Sequence, residues 1–135
     1  MSSESRIVSQ KNQLLDTNVV IRFLTNDDQR LANQAKEIFE NAPSASLVIS
    51  DVVMLEIVYV LLNVYHLSKS SLIEKISLLL TFKPFVVSGK LMDKTLLIFS
   101  QQNISFVDAY LLARVKLGIN SGLVTFDRKL KKLAN

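Results

Sequence analysis

The chain has 135 residues, 49% hydrophobic and 21% charged, with 16 Lys and Arg against 12 Asp and Glu for a formal charge of +4. That length and apolar fraction predict one folded domain, with no room for a second catalytic domain and no resemblance to a disordered chain. The absence of cysteine and the lone histidine, His66, exclude disulfide scaffolds, thiolate zinc sites, cysteine nucleophiles and histidine-rich metal motifs, while the mild cationic excess permits a polyanionic partner.

Residues 1–12 are polar and mixed in charge without an apolar h-region, so a polar N-terminal tail is expected, followed by a single domain over 13–135. Gln13 to Leu15 reads as the first strand. Asp16 stands where it would cap a helix opening at Thr17. Leu31, Ala35, Ile38 and Phe39 share one helical face, introduced by Asn26, Asp27 or Asp28. Leu47 to Ile49 is the second strand, and Val52 to His66 a helix with Ser50 or Asp51 as its N-cap. Ser71-x-x-Glu74 fits a capping box ahead of another helix. Phe85 to Val87 is the third strand, Gly89 to Gln101 a helix, and Ser105 to Gly118 a helix ending on a left-handed glycine. Leu123 to Thr125 completes the strands, and a short basic helix follows Asp127. The longest apolar stretch, Leu47 to Leu62, is interrupted by Ser50, Asp51 and Glu56, whereas a spanning helix needs about 20 nearly uncharged residues. No membrane partner is therefore expected, and the lack of cysteine makes a cytoplasmic setting the default expectation.

Strands that are unbroken apolar runs, alternating with helices, predict an α/β fold: a three-layer α/β/α sandwich with a mainly parallel sheet. Ligands of such folds collect beyond the carboxyl ends of the strands, where Asp16 and Asp127 stand. Either could be a helix cap and nothing more. Asp108, three residues after Ser105, could complete a capping box, yet it aligns with Leu111, Leu112 and Val115, which turns it toward the buried stripe. Glu56 lies past the first turn of a helix surrounded by apolar residues, where a buried carboxylate needs a partner. Alternatively Glu56, Tyr59, Asn63 and His66 form that helix's one solvent stripe. Four unpaired carboxylates brought together repel unless a cation neutralises them, and an all-oxygen set suits Mg²⁺ or Mn²⁺.

Leu14-Leu15-Asp16-Thr17-Asn18-Val19-Val20, with Arg22 to Asp28 behind it, resembles the opening of PIN-domain proteins, specifically the VapC-like toxins of toxin-antitoxin pairs. Ser50-Asp51-Val52-Val53-Met54-Leu55-Glu56-Ile57-Val58-Tyr59-Val60-Leu61 is similar to the family's second motif, Phe106-Val107-Asp108-Ala109-Tyr110-Leu111-Leu112-Ala113 to its third, and Leu123-Val124-Thr125-Phe126-Asp127-Arg128-Lys129-Leu130 to its fourth. The order and spacing agree from about Gln13 to Leu133. The resemblance implies a PIN-like fold and a Mg²⁺- or Mn²⁺-dependent endoribonuclease acting on single-stranded or loop RNA. It implies Asp16, Glu56, Asp108 and Asp127 as catalytic metal ligands, with Asn18 and Thr125 in support. A cognate antitoxin protein and a homodimer are implied as partners, the latter through apolar helix surface such as Leu72, Ile76, Leu79 and Leu80 unless those residues are core.

Arg22, Arg128, Lys129, Lys131 and Lys132 are candidates to contact the RNA backbone, against the plainer reading of a solvated face. Tyr59, Tyr110 and Phe126 could stack on bases, although core packing is the ordinary role of aromatic residues. His66 is assigned to the surface of its helix. Two other classes compete with the nuclease. A receiver-like Mg²⁺-binding signalling domain would need an acidic pair after the first strand, an Asp ending a middle strand and a Lys ending a late one, which this sequence lacks. A non-catalytic RNA or protein interaction module would make the acids caps only, which does not account for Glu56.

Overall fold

The structure, a computed structural model, describes residues 12–135, so all of the expected N-terminal tail but Asn12 lies outside the described residues. The chain divides between Val87 and Ser88 into two compact units. In the first, β1 (Gln13–Leu14), α1 (Thr17–Leu24), α2 (Gln29–Asn41), β2 (Leu47–Val48), α3 (Asp51–Asn63), α4 (Lys69–Thr81) and β3 (Phe85–Val86) follow in order. The sheet is parallel in the order β1-β2-β3, with Gln13 opposite Leu47 and Leu47 opposite Phe85. Leu15 and Ile49 prolong the ladder by donating to the carbonyls of Val48 and Val86, both at 2.9 Å. The expected mixed α/β class with a parallel sheet is therefore what the chain forms.

The fourth expected strand does not form. Leu123–Thr125 lies outside any strand, with Val124 fully exposed and Leu123 and Thr125 only half-buried. An apolar run becomes a strand when a neighbour supplies ladder hydrogen bonds and a buried face, and among the described residues no neighbour gives this run ladder hydrogen bonds.

Helix starts follow the capping chemistry of short polar side chains. Asp28, Ser50, Ser68 and Ser105 each accept from an amide three residues on, at 3.1, 3.3, 3.2 and 3.1 Å. Ser50 is thus the cap of α3 rather than Asp51. Ser68, not Ser71, caps α4: Ser71 is already the third helical residue and supplies the amide that Ser68 accepts, which corrects the expected Ser71-Glu74 box. α3 also stops earlier than expected, because Tyr65 and Leu67 donate back to Val60 and Leu61 through a turn in which His66 has φ +55°. His66 therefore lies beyond the helix, exposed, and not on its surface stripe.

The core of this first unit holds an aromatic cluster in which Phe39 meets Phe23 and Phe85 edge to face at 4.9 Å, with Phe82 against Phe85 at 5.0 Å. Phe39 is 2% exposed, so truncating it to alanine would cost about 3–5 kcal/mol. Leu72, Ile76 and Leu79 are completely buried in the single chain. That corrects their candidacy as a dimer surface: side chains already packed in the core have no area left to offer a second copy.

The second unit comprises α5 (Gly89–Gln101), α6 (Phe106–Lys116) and α7 (Arg128–Ala134). α5 and α6 bury Leu91, Met92, Leu96 and Phe99 with Phe106, Ala109, Leu112 and Ala113, and the Phe99 and Phe106 rings stand edge to face at 5.4 Å. α6 ends as expected on Gly118 at φ +74°, where Gly118 donates to Val115 and Ile119 to Arg114, a Schellman closure that favours glycine. Leu130, 5% exposed, anchors α7. Among the described residues no helix is long and apolar enough to cross a membrane.

Candidate functional site

Asp16 lies just beyond the carboxyl end of β1, in extended conformation at the N-cap of α1, but its side chain makes no capping hydrogen bond. The amide of Val19 is met instead by the Asp16 carbonyl at 3.2 Å. The carboxylate is exposed, so the capping explanation fails for this residue. The next residue, Thr17, is buried, and its hydroxyl donates to a Glu56 carboxylate oxygen. Glu56 reaches this point because Ser50 starts α3 at the end of β2, and β2 pairs with β1. One hydroxyl thus ties the second-motif carboxylate to the residue after the first-motif carboxylate.

The expectation of a buried Glu56 is corrected. Glu56, Tyr59 and Asn63 are all exposed, which is the solvent-stripe arrangement without His66. What distinguishes Glu56 on that stripe is the Thr17 hydroxyl. Sequence reasoning singled out Asn18 and passed over Thr17, whose position directly after Asp16 was the available signal. Asn18 is exposed and lines, with Asp16, Val19 and Arg22, a shallow cavity of about 180 Å³.

Arg22, half-buried, forms an ion pair to Asp27 at 3.3 Å, and its Nε is buried without a hydrogen-bond partner among the described residues. Asp27 also accepts from the Tyr65 hydroxyl at 2.7 Å and the Thr25 hydroxyl at 3.0 Å. The Tyr65 hydrogen bond leads in holding the Asp27 carboxyl below its ordinary value; loss of hydration opposes it, and the Thr25 hydroxyl and the Arg22 charge add to the lowering. This cluster fastens the end of α1 to the turn after α3.

In the second unit, Asp108 is the third residue of α6 and half-buried, and its amide donates to Ser105. Its expected alignment with a buried Leu111, Leu112 and Val115 is corrected, since of those three only Leu112 is buried and the inward face runs through Phe106, Ala109, Leu112 and Ala113. Asp127 does cap: its Oδ1 accepts from the Leu130 amide at 2.9 Å, while its own amide donates to Thr125 Oγ1 at 3.0 Å. A cap uses one lone pair of a carboxylate and leaves others for a further partner. Arg128, Lys129, Lys131 and Lys132 are exposed, with Lys129 Nζ 3.0 Å from the Asn103 carbonyl. Core packing, expected for the three aromatics, is corrected for Tyr59 and Phe126, which are exposed; Tyr110 is half-buried with Arg114 5.9 Å over its ring.

Within neither unit, among the described residues, do three or more His, Asp or Glu side chains gather into a group that could hold a metal ion. The Asp16 and Glu56 end of the first unit nonetheless offers two carboxylates and a hydroxyl, an all-oxygen donor set. Magnesium takes one or two protein carboxylates and keeps several waters, so the donors fit it in type and number.

A family model described as PIN domain matches residues 14–135. A search of curated proteins gives no match. Proteins of the matched family are in general metal-dependent nucleases acting on RNA.

Proposed function

The chain belongs to the PIN domain family, and from that premise we propose that residues 13–135 act as one Mg²⁺- or Mn²⁺-dependent endoribonuclease domain hydrolysing single-stranded or loop RNA. We assign Asp16, Glu56, Asp108 and Asp127 as the metal-holding carboxylates and the biological role as the toxin of a VapC-like toxin-antitoxin pair. A cognate antitoxin, a homodimer and a cytoplasmic setting belong to the same proposal.

The observation that carries it is Asp16, a carboxylate at an N-cap that does not cap, one residue from the Thr17 hydroxyl that fixes Glu56. A carboxylate that serves its helix no purpose is free for a cation. This weighs against the interaction-module reading, which needs every acid to be a cap. The bound metal would lower the pKa of a water and offset charge on the attacked phosphate. The chain's own contributions are separate. Thr17 holds Glu56 in one orientation, Thr125 and the α7 cap hold the Asp127 backbone, and the cations of α7 attract the RNA backbone without reading its sequence.

The test is cleavage of an end-labelled unstructured RNA by the wild-type chain and by Asp16→Asn, each in Mg²⁺, Mn²⁺ and chelator. Cleavage should require metal and fall by about 100-fold or more in the variant, the scale on which charge stabilisation at a reacting centre acts. Wild-type rates in the variant, or undiminished cleavage in chelator, would overturn the assignment. For the toxin role, growth arrest on expression should depend on Asp16 and be relieved by the protein encoded beside this one.

A further inference from the structure

Of the seven phenylalanines, six pack ring against ring: Phe23, Phe39, Phe82 and Phe85 in the first unit, and Phe99 with Phe106 in the second. The seventh, Phe126, is 101% exposed. It forgoes the burial that every other phenylalanine obtains, yet its position is not a loose one. Before it, Thr125 Oγ1 accepts the Asp127 amide at 3.0 Å; after it, Asp127 Oδ1 accepts the amide of the buried Leu130 at 2.9 Å. The ring therefore projects into solvent from backbone tied on both sides.

Following Phe126 in sequence, on α7, come Arg128, Lys131 and Lys132, all exposed, and among the described residues no carboxylate forms an ion pair with any of them. An exposed ring at the start of a helix that carries uncompensated cations suits an unpaired nucleotide, whose base presents a π-face and whose phosphates present charge. An apolar protein surface would match the ring and leave the three cations unanswered.

We propose that Phe126 is a stacking platform that seats one unpaired base of the RNA, with Arg128, Lys131 and Lys132 taking the flanking phosphates. The assignment rests on the RNA reading above and adds to it a binding residue and a substrate requirement: a base that can be splayed out of a helix.

The chain has no tryptophan, so Phe126→Trp introduces a single indole whose emission reports on stacking. The experiment titrates single-stranded oligo(A) RNA in chelator, following indole emission in Phe126→Trp and, in parallel, anisotropy of labelled RNA with wild type, Phe126→Ala, Phe126→Leu and Phe126→Trp. Emission should be quenched in step with the rise in anisotropy. Phe126→Ala should weaken binding by roughly 5- to 150-fold, the range of one lost base–aromatic stack. Phe126→Leu should remain weak although apolar, and Phe126→Trp should bind like wild type. Binding by Phe126→Ala equal to wild type, or RNA bound without quenching in Phe126→Trp, overturns the platform and leaves the RNA reading standing. Failure of the wild-type chain to bind RNA at all overturns both.

Discussion

Asp16 and Asp127 occupy the same place in their local sequences, one residue before a helix, and the structure separates them by a single hydrogen bond. Asp127 accepts the Leu130 amide, whereas the Asp16 side chain caps nothing. Asp127→Ala should therefore cost about 0.5–2 kcal/mol in a denaturant titration performed in chelator. Asp16→Ala should stay within about 0.5 kcal/mol of wild type, as surface changes away from a cap do. Both should lose metal-dependent cleavage. Equal stability losses for the two would mean that Asp16 caps α1 in solution, and the case for its carboxylate as a metal ligand would fail. The sequence made both residues visible as acids at strand ends but could not rank them, because Asp-Thr-Asn and Asp-Arg-Lys are equally good helix openings on paper. Nor could it find the partner of Glu56, since Thr17 lies 39 positions away and only the pairing of β1 with β2 brings α1 and α3 alongside each other.

At the level of elements, the same limit decided which local signals held. Three apolar runs became strands because each found a parallel neighbour, and Leu123–Thr125, no less apolar, found none among the described residues. Local hydrophobicity states that a segment can be buried, while ladder hydrogen bonds come from residues far away in sequence. Caps are more local and were easier to read, yet serines at 68, 70 and 71 offered competing starts for α4. Replacing Ser68 with Ala should lower stability by about 1 kcal/mol, since the Ser71 amide loses its acceptor. Ser71→Ala should cost less than about 0.5 kcal/mol, being an exchange within the first turn to a better helix former. Chemical denaturation of the two variants compares them directly, and a reversed order would restore Ser71 as the cap.

For the whole molecule, the proposed function makes stability depend on divalent metal. Folding fixes the Asp16 and Glu56 ends of the first unit through β1, β2 and the Thr17 hydroxyl, whereas an unfolded chain leaves them 40 residues of flexible backbone apart. A cation that binds only the folded arrangement must stabilise it, by about 2.7 kcal/mol at 100 times its dissociation constant. For a chain of this length that corresponds to a rise in Tm of several degrees. The rise should appear with Mg²⁺ and Mn²⁺ and persist when NaCl replaces the metal's contribution to ionic strength in the control, because site binding and general screening of a +4 chain are different effects. In Asp16→Asn the metal-dependent rise should shrink or vanish while the Tm in chelator does not fall, since the variant removes a charge that caps no helix and has no ion-pair partner among the described residues. An identical Tm for the wild-type chain in chelator and in metal would show that folding creates no cation site, and the carboxylates would then have to be explained without one.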